Sequence, residues 1–185
     1  MLFEKKGKHN TEQTLELAVK RAQELEISHL VVASNKGVTV EKLLELSKGM
    51  DLGIVCVTHH VGFREPGNDE MGAEKRRQLQ DAGVKILTTT HLLAGVDRAV
   101  RYKFDGLYPA EIIANSLKIL GQGLKVCVEI GSMALDAGLI PYGEEIIAVG
   151  GSGRGADTAV VIVPAHANYF FNNEVKEIIC TPRKK

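Results

Sequence analysis

Four short stretches of this chain carry the side chains that could do chemistry. They are Ser34-Asn35-Lys36-Gly37-Val38-Thr39, Thr58-His59-His60-Val61-Gly62-Phe63-Arg64, Thr88-Thr89-Thr90-His91, and Gly150 through Thr158. In the first, Ser34, Asn35 and Thr39 offer neutral hydrogen bonds and Lys36 a charge, at the point where a strand hands over to a helix. Free backbone N–H groups and the positive helix end suit a phosphate monoester there. Plain helix capping by Asn35 or Thr39 is the competing reading. In the last stretch, Gly151, Gly153 and Gly155 let backbone approach a ligand closely, and Arg154 can grip a phosphate with two parallel hydrogen bonds. A connecting turn needs fewer glycines, so this loop, with Ser152, Asp157 and Thr158, is read as a ligand wall. Thr58, His59, His60, Gly62 and Arg64 form the opposite wall, and Phe63 is the nearby aromatic ring for stacking.

Other chemistries fit poorly. Gly151-x-Gly153-x-Gly155 leads into a strand, whereas a dinucleotide fingerprint must lead into a helix. No Gly-x4-Gly-Lys-Ser/Thr is present, which excludes a P-loop ATPase. His59, His60, His91 and His166 lack the His-x3-His spacing of zinc enzymes, so no metal site is expected. No serine sits in a Gly-x-Ser-x-Gly elbow. An enzyme reading would use His59 or His60 as general base with Asp157 or Glu129 as partner.

These loops need a scaffold, and the hydrophobic pattern supplies one. Apolar residues at helical spacing predict a helix opened by Asn10, with Gln13 as reciprocal cap, running through Glu26. Strands follow at 29–33, 54–57 and 84–87, with a helix marked by Val40, Leu43, Leu44 and Leu46 after the first and, beyond a polar stretch from Gly62 to Gly72, a highly charged one over 73–82 after the second. Helices are expected over 92–103 and from Pro109 onward. Residues 124–137 read as a mostly buried helix, because Lys125, Glu129, Ser132 and Asp136 step by four, three and four. Strands at 145–149 and 158–163 are separated by eight residues, too few for a parallel crossover, so the second should run antiparallel. A last strand at 175–180 is placed at an edge. The expectation is one α/β domain over residues 1–185, a three-layer α/β/α sandwich with a mostly parallel sheet. Ligands bind such sheets at the carboxyl ends of the strands, which is where all four polar loops fall.

Composition agrees. Lys and Arg number 23 against 23 Asp and Glu, so a basic nucleic-acid or membrane-surface binder is not expected. Arg183-Lys184-Lys185 reads as a solvated chain end. No apolar run reaches the ~18 residues of a membrane span, and the first residues do not resemble a secretory signal. Cys56, Cys127 and Cys180 read as buried free thiols of a cytoplasmic protein.

The strand–Ser34-to-Thr39–helix unit and the run Gly153-x-Gly155-Ala156-Asp157-Thr158 to Pro164 resemble the C-terminal α/β domain of pyruvate kinase. The whole chain is similar to the stand-alone archaeal and bacterial proteins of that fold, a family of unassigned function. Asn10-Thr11-Glu12, Thr58 to Glu65, Lys125 to Ile130, Asp136 to Pro141 and Gly155 to Ala159 carry the likeness. In pyruvate kinase this domain holds a regulatory sugar phosphate, and catalysis belongs to the barrel, so the resemblance implies a binding or regulatory protein without pyruvate kinase activity. Ser34, Gly37 and Thr39 fall on the family's phosphate-loop positions, while Lys36 stands where a hydroxyl residue is usual. The resemblance further implies flavin mononucleotide as the preferred ligand, and self-association into a homo-oligomer, through the apolar helix at 124–137.

Overall fold

A computed structural model describes residues 1–184. Seven strands form one sheet: β1 (Leu2–Phe3), β2 (His29–Ala33), β3 (Gly53–Val57), β4 (Lys85–Leu87), β5 (Ile146–Gly150), β6 (Thr158–Val163) and β7 (Glu174–Pro182). Their order is β1-β7-β6-β5-β2-β3-β4. β6 pairs antiparallel with both β5 and β7 and the remaining pairs are parallel, so β6 alone runs against the sheet. The short return from β5 to β6 is the physical cause, since the seven residues 151–157 close a reversal but not a crossover.

Helices α1 (Thr11–Glu24), α2 (Val38–Leu46) and α3 (Ala73–Asp81) cover one face. On the other lie α4 (Gly95–Phe104), α5 (Pro109–Lys118) and α6 (Gln122–Asp136). The strand period of two sends side chains alternately into two cores. Leu30, Val32, Cys56 and Ile147 join Leu15, Val40 and Leu79 on the first face. Val31, Val55, Ala148 and Val160 meet Leu124, Cys127 and Val128 of α6 on the second. The three cysteines are free and buried, and no helix of the described residues is long and apolar enough to cross a membrane.

Two local expectations need correction. Asn10 does not cap α1: its side-chain amide donates to the Lys5 carbonyl at 2.7 Å instead. β7 is not an edge strand, because β1 pairs beyond it. Within the polar stripe of α6, Glu129 pairs with Lys125 at 2.5 Å and Asp136 stays exposed. Glu129 and Ser132 are buried and bond Leu93 and Asn173, while Asp136 meets His166 at the surface. α6 is the mostly buried helix the stripe predicts, and α4 and α5 form the exposed outer layer. Lys185 of the expected basic chain end lies outside the described residues.

Candidate functional site

Winding reverses between β2 and β5: the chain steps outward from β2 through β3 to β4, then returns to pair β5 on β2's other side. The loops after β2 and β5 therefore stand side by side at the sheet's carboxyl edge, at the topological switch point where such sheets bind ligands.

The loop after β2 turns into α2 through Gly37, whose φ of 88° is left-handed. A Cβ there would sit 2.9 Å from Lys75 Cγ and 3.2 Å from Leu79 Cδ1, so α3 covers one flank of this helix end. The Lys75 ammonium is itself held by Glu41. Ser34 and Thr39 are buried to 5% and 7% exposure, yet neither hydroxyl has a hydrogen-bond partner among the described residues. Lys36 is exposed and has no carboxylate partner there.

Asn35 joins the first loop to the second. The His59 backbone N–H donates to Asn35 Oδ1 at 3.1 Å, which turns Asn35 Nδ2 toward His59 Nε2 at 3.0 Å. Nε2 must then accept, so the ring proton sits on Nδ1, 2.5 Å from Glu70 Oε2. Glu70, whose side chain is 9% exposed, also receives Arg64 Nε at 3.1 Å. With its lone pair occupied by Asn35, His59 is poorly placed as a general base. His60 keeps its Nε2 free, since only Nδ1 is engaged, with the Val61 carbonyl at 2.8 Å.

Phe63 stacks on the His59 ring at 3.7 Å, and His60 and His91 stand 5.4 Å from its centroid. One face of the expected stacking residue is thus already covered. Burial holds the His91 imidazole below the usual histidine range; the nearby Glu129 charge and Thr58 carbonyl oppose that shift. The Thr58 hydroxyl donates to the His59 carbonyl at 2.8 Å and pairs with Thr88 Oγ1 at 2.7 Å. Gly62, with φ 81°, donates its N–H to the Asn68 carbonyl at 2.9 Å and closes the loop.

The glycine loop has a structural explanation for much of its composition. A Cβ on Gly151 would lie 2.3 Å from the Gly155 carbonyl oxygen, and one on Gly155 would lie 2.3 Å from Thr11 Oγ1. The close approach is to the chain's own atoms, backbone at Gly151 and the Thr11 side chain at Gly155. Asp157 is fully buried and accepts from Gly7 N at 2.8 Å, Ser152 N at 3.1 Å, Ser152 Oγ at 3.3 Å and Thr158 Oγ1 at 3.1 Å. Neither it nor Glu129 touches His59 or His60, so the acid–histidine pairing expected from the sequence is replaced by Glu70. Gly153 and Arg154 remain exposed, and Arg154 has no partner among the described residues.

Sequence reasoning missed Glu70, Asp69 and Arg76, which lie in or just beyond a stretch read as a polar connector. Arg76 Nη2 donates to Asp69 at 2.7 Å and to Thr88 Oγ1 at 3.0 Å, tying α3 to the ends of β3 and β4. Burial alone would raise the Asp69 carboxyl, but the Arg76 and Met71 hydrogen bonds outweigh it and hold it below the usual range. The acidic pair Asp69-Glu70 following a strand that ends in two histidines was the available signal. Among the described residues no group of three or more His, Cys, Asp or Glu gathers to hold a metal ion.

Two cavities lie elsewhere. One of about 150 Å³ is enclosed by α4, α5 and the start of α6. The other, about 610 Å³, is walled by Tyr142, His166, Tyr169 and Phe171. Neither shares a residue with the four loops.

Solved structures of pyruvate kinases are similar to this chain. A pyruvate kinase from Cryptosporidium parvum is 18% identical, with a TM-score of 0.43, over 83% of this chain and 23% of that one. The Cryptosporidium parvum pyruvate kinase in complex with ADP is 18% identical, with a TM-score of 0.41, over 82% and 22%. The chain thus spans less than a quarter of the kinases it matches. The family model described as pyruvate kinase, alpha/beta domain, matches residues 12–162, from the first turn of α1 to the end of β6. This protein belongs to the family of the pyruvate kinase alpha/beta domain.

Proposed function

We propose that this chain is a binding protein for a phosphorylated small molecule, with flavin mononucleotide as the preferred ligand, held at the carboxyl edge of the sheet. The carrying observation is the pair of unpartnered hydroxyls, Ser34 and Thr39, beside the amide end of α2. Neither oxygen is sealed from solvent, so both can turn to an anion seated on the helix end. Lys36 and Arg154 add cations from the two adjoining loops. Asn35 links the phosphate loop to the His59–Phe63 stack, so a flat ring attached to the phosphate would have an aromatic wall within reach.

The test is flavin fluorescence quenching with flavin mononucleotide and, in parallel, riboflavin. Binding should require the phosphate and be competed by inorganic phosphate. Lys36→Ala combined with Thr39→Val should weaken it about tenfold or more, the scale of one charge-assisted hydrogen bond. Equal affinity for riboflavin, or binding indifferent to these substitutions, would overturn the reading.

A further inference from the structure

The 150 Å³ cavity between α4, α5 and the first turn of α6 is lined by Arg98, Lys118 and Lys125 against one carboxylate, Glu111. That carboxylate is already matched by Arg101, whose Nε lies 2.6 Å from Glu111 Oε1. Lys125 is matched too: its Nζ stands 2.5 Å from Glu129 Oε2, and Glu129 accepts the Leu93 N–H at 2.8 Å, which fixes the floor of the cavity. Two cations are left over. Arg98 is half-buried and has neither hydrogen bond nor ion pair among the described residues. Lys118 reaches only the neutral Asn115 side chain, at 3.2 Å.

A protein of zero formal net charge has thus gathered uncompensated positive charge around one polar cavity. Arg98 and Lys118 line this space without a carboxylate partner among the described residues, and an anion would supply one. The half-buried Gln122 amide lines the same space. The first turn of α6 carries no acidic residue and no side-chain cap. From this geometry we infer a second anion site that takes a phosphate group, gripped by the Arg98 fork and the Lys118 ammonium. It lies on the opposite face of the sheet from α2, and it does not depend on the flavin reading above.

The experiment is an NMR titration of the intact protein with inorganic phosphate, using sodium chloride at matched ionic strength as control. Backbone amides of residues 93–94 and 122–124 should shift saturably with phosphate and not with chloride. Arg98→Gln should weaken that response about tenfold or more. Lys118→Gln, at an exposed position that tolerates change, should weaken it in the same direction. Lys36→Ala with Thr39→Val should leave it unchanged. No saturable shift in these amides, or a shift that survives both the Arg98 and Lys118 substitutions, overturns the site. Loss of response only at residues 34–39 would sink the flavin reading and leave this one standing.

Discussion

His59 Nδ1 and Glu70 Oε2 lie 2.5 Å apart, and this contact bridges the end of β3 to the far side of the loop that follows it. Because Glu70 is nearly buried, its carboxylate has little water to fall back on. Glu70→Ala should lower the unfolding free energy by about 2 kcal/mol, the worth of a buried charge-assisted hydrogen bond. Arg64→Ala removes the other partner, but from a side chain 61% exposed, and should cost under about 1 kcal/mol. Urea unfolding of the two variants tests this; equal effects would mean that the His59 contact has no special weight.

Asp157 is the anchor of the glycine loop. Asp157→Ala would leave the Gly7 and Ser152 amides without their acceptor, at a cost of about 3 kcal/mol. Hydrogen exchange at both amides should accelerate together in the variant, since one carboxylate holds the N-terminal segment and the loop. Exchange that changes at Ser152 alone would show that the segment is held by something else.

The parts of this fold legible from sequence are those set by periodicity and chain length. Lys125, Glu129, Ser132 and Asp136 marked α6 because polar residues kept a helical step inside an apolar run, and the eight-residue gap before Thr158 forced the antiparallel turn. Leu2–Phe3 was invisible as a strand: two residues carry no period, and only pairing with Thr181 and Pro182 makes them one. The site was half legible for a similar reason. Glycines at 151 and 155 announce that something approaches the backbone, but not whether it is a ligand or Thr11. The Glu70 partner of His59 is eleven residues away in a loop without periodicity, so no local pattern could have paired them.

His91 should make stability depend on pH. Its folded-state pKa lies below the ordinary value of 6.5 because burial disfavours the charged ring. As pH falls below 6.5 the unfolded chain takes up the proton first, so this residue lowers stability progressively until the folded-state pKa is passed. The unfolding free energy of the wild type should therefore drop between about pH 7 and pH 5 more steeply than that of His91→Gln. Parallel curves for the two proteins would refute the assignment.

The three thiols should be inert in the native protein. Burial pushes the Cys56 thiol up to about 12, and burial likewise raises Cys127 and Cys180. Thiolate is the reactive form. A disulfide reagent near neutral pH should therefore modify none of them until denaturant opens the fold, and then all three at once. Rapid modification of one thiol without denaturant would place it at a surface.

Gly151 and Gly153 stand two residues apart in one loop, yet their substitutions should act in opposite directions. A Cβ at 151 would fall 2.3 Å from the Gly155 carbonyl oxygen, a backbone atom that cannot swing aside. Gly151→Ala should destabilise the protein by about 2 kcal/mol or more, the range of a forced backbone shift. At 153 nothing lies within 4 Å and the backbone is not left-handed, so Gly153→Ala meets no obstacle. By narrowing the unfolded ensemble it should be neutral or add about 0.5 kcal/mol. Thermal unfolding separates the two. A loop whose glycines served only flexibility would respond alike to both changes, whereas one built on close backbone contact responds at 151 alone.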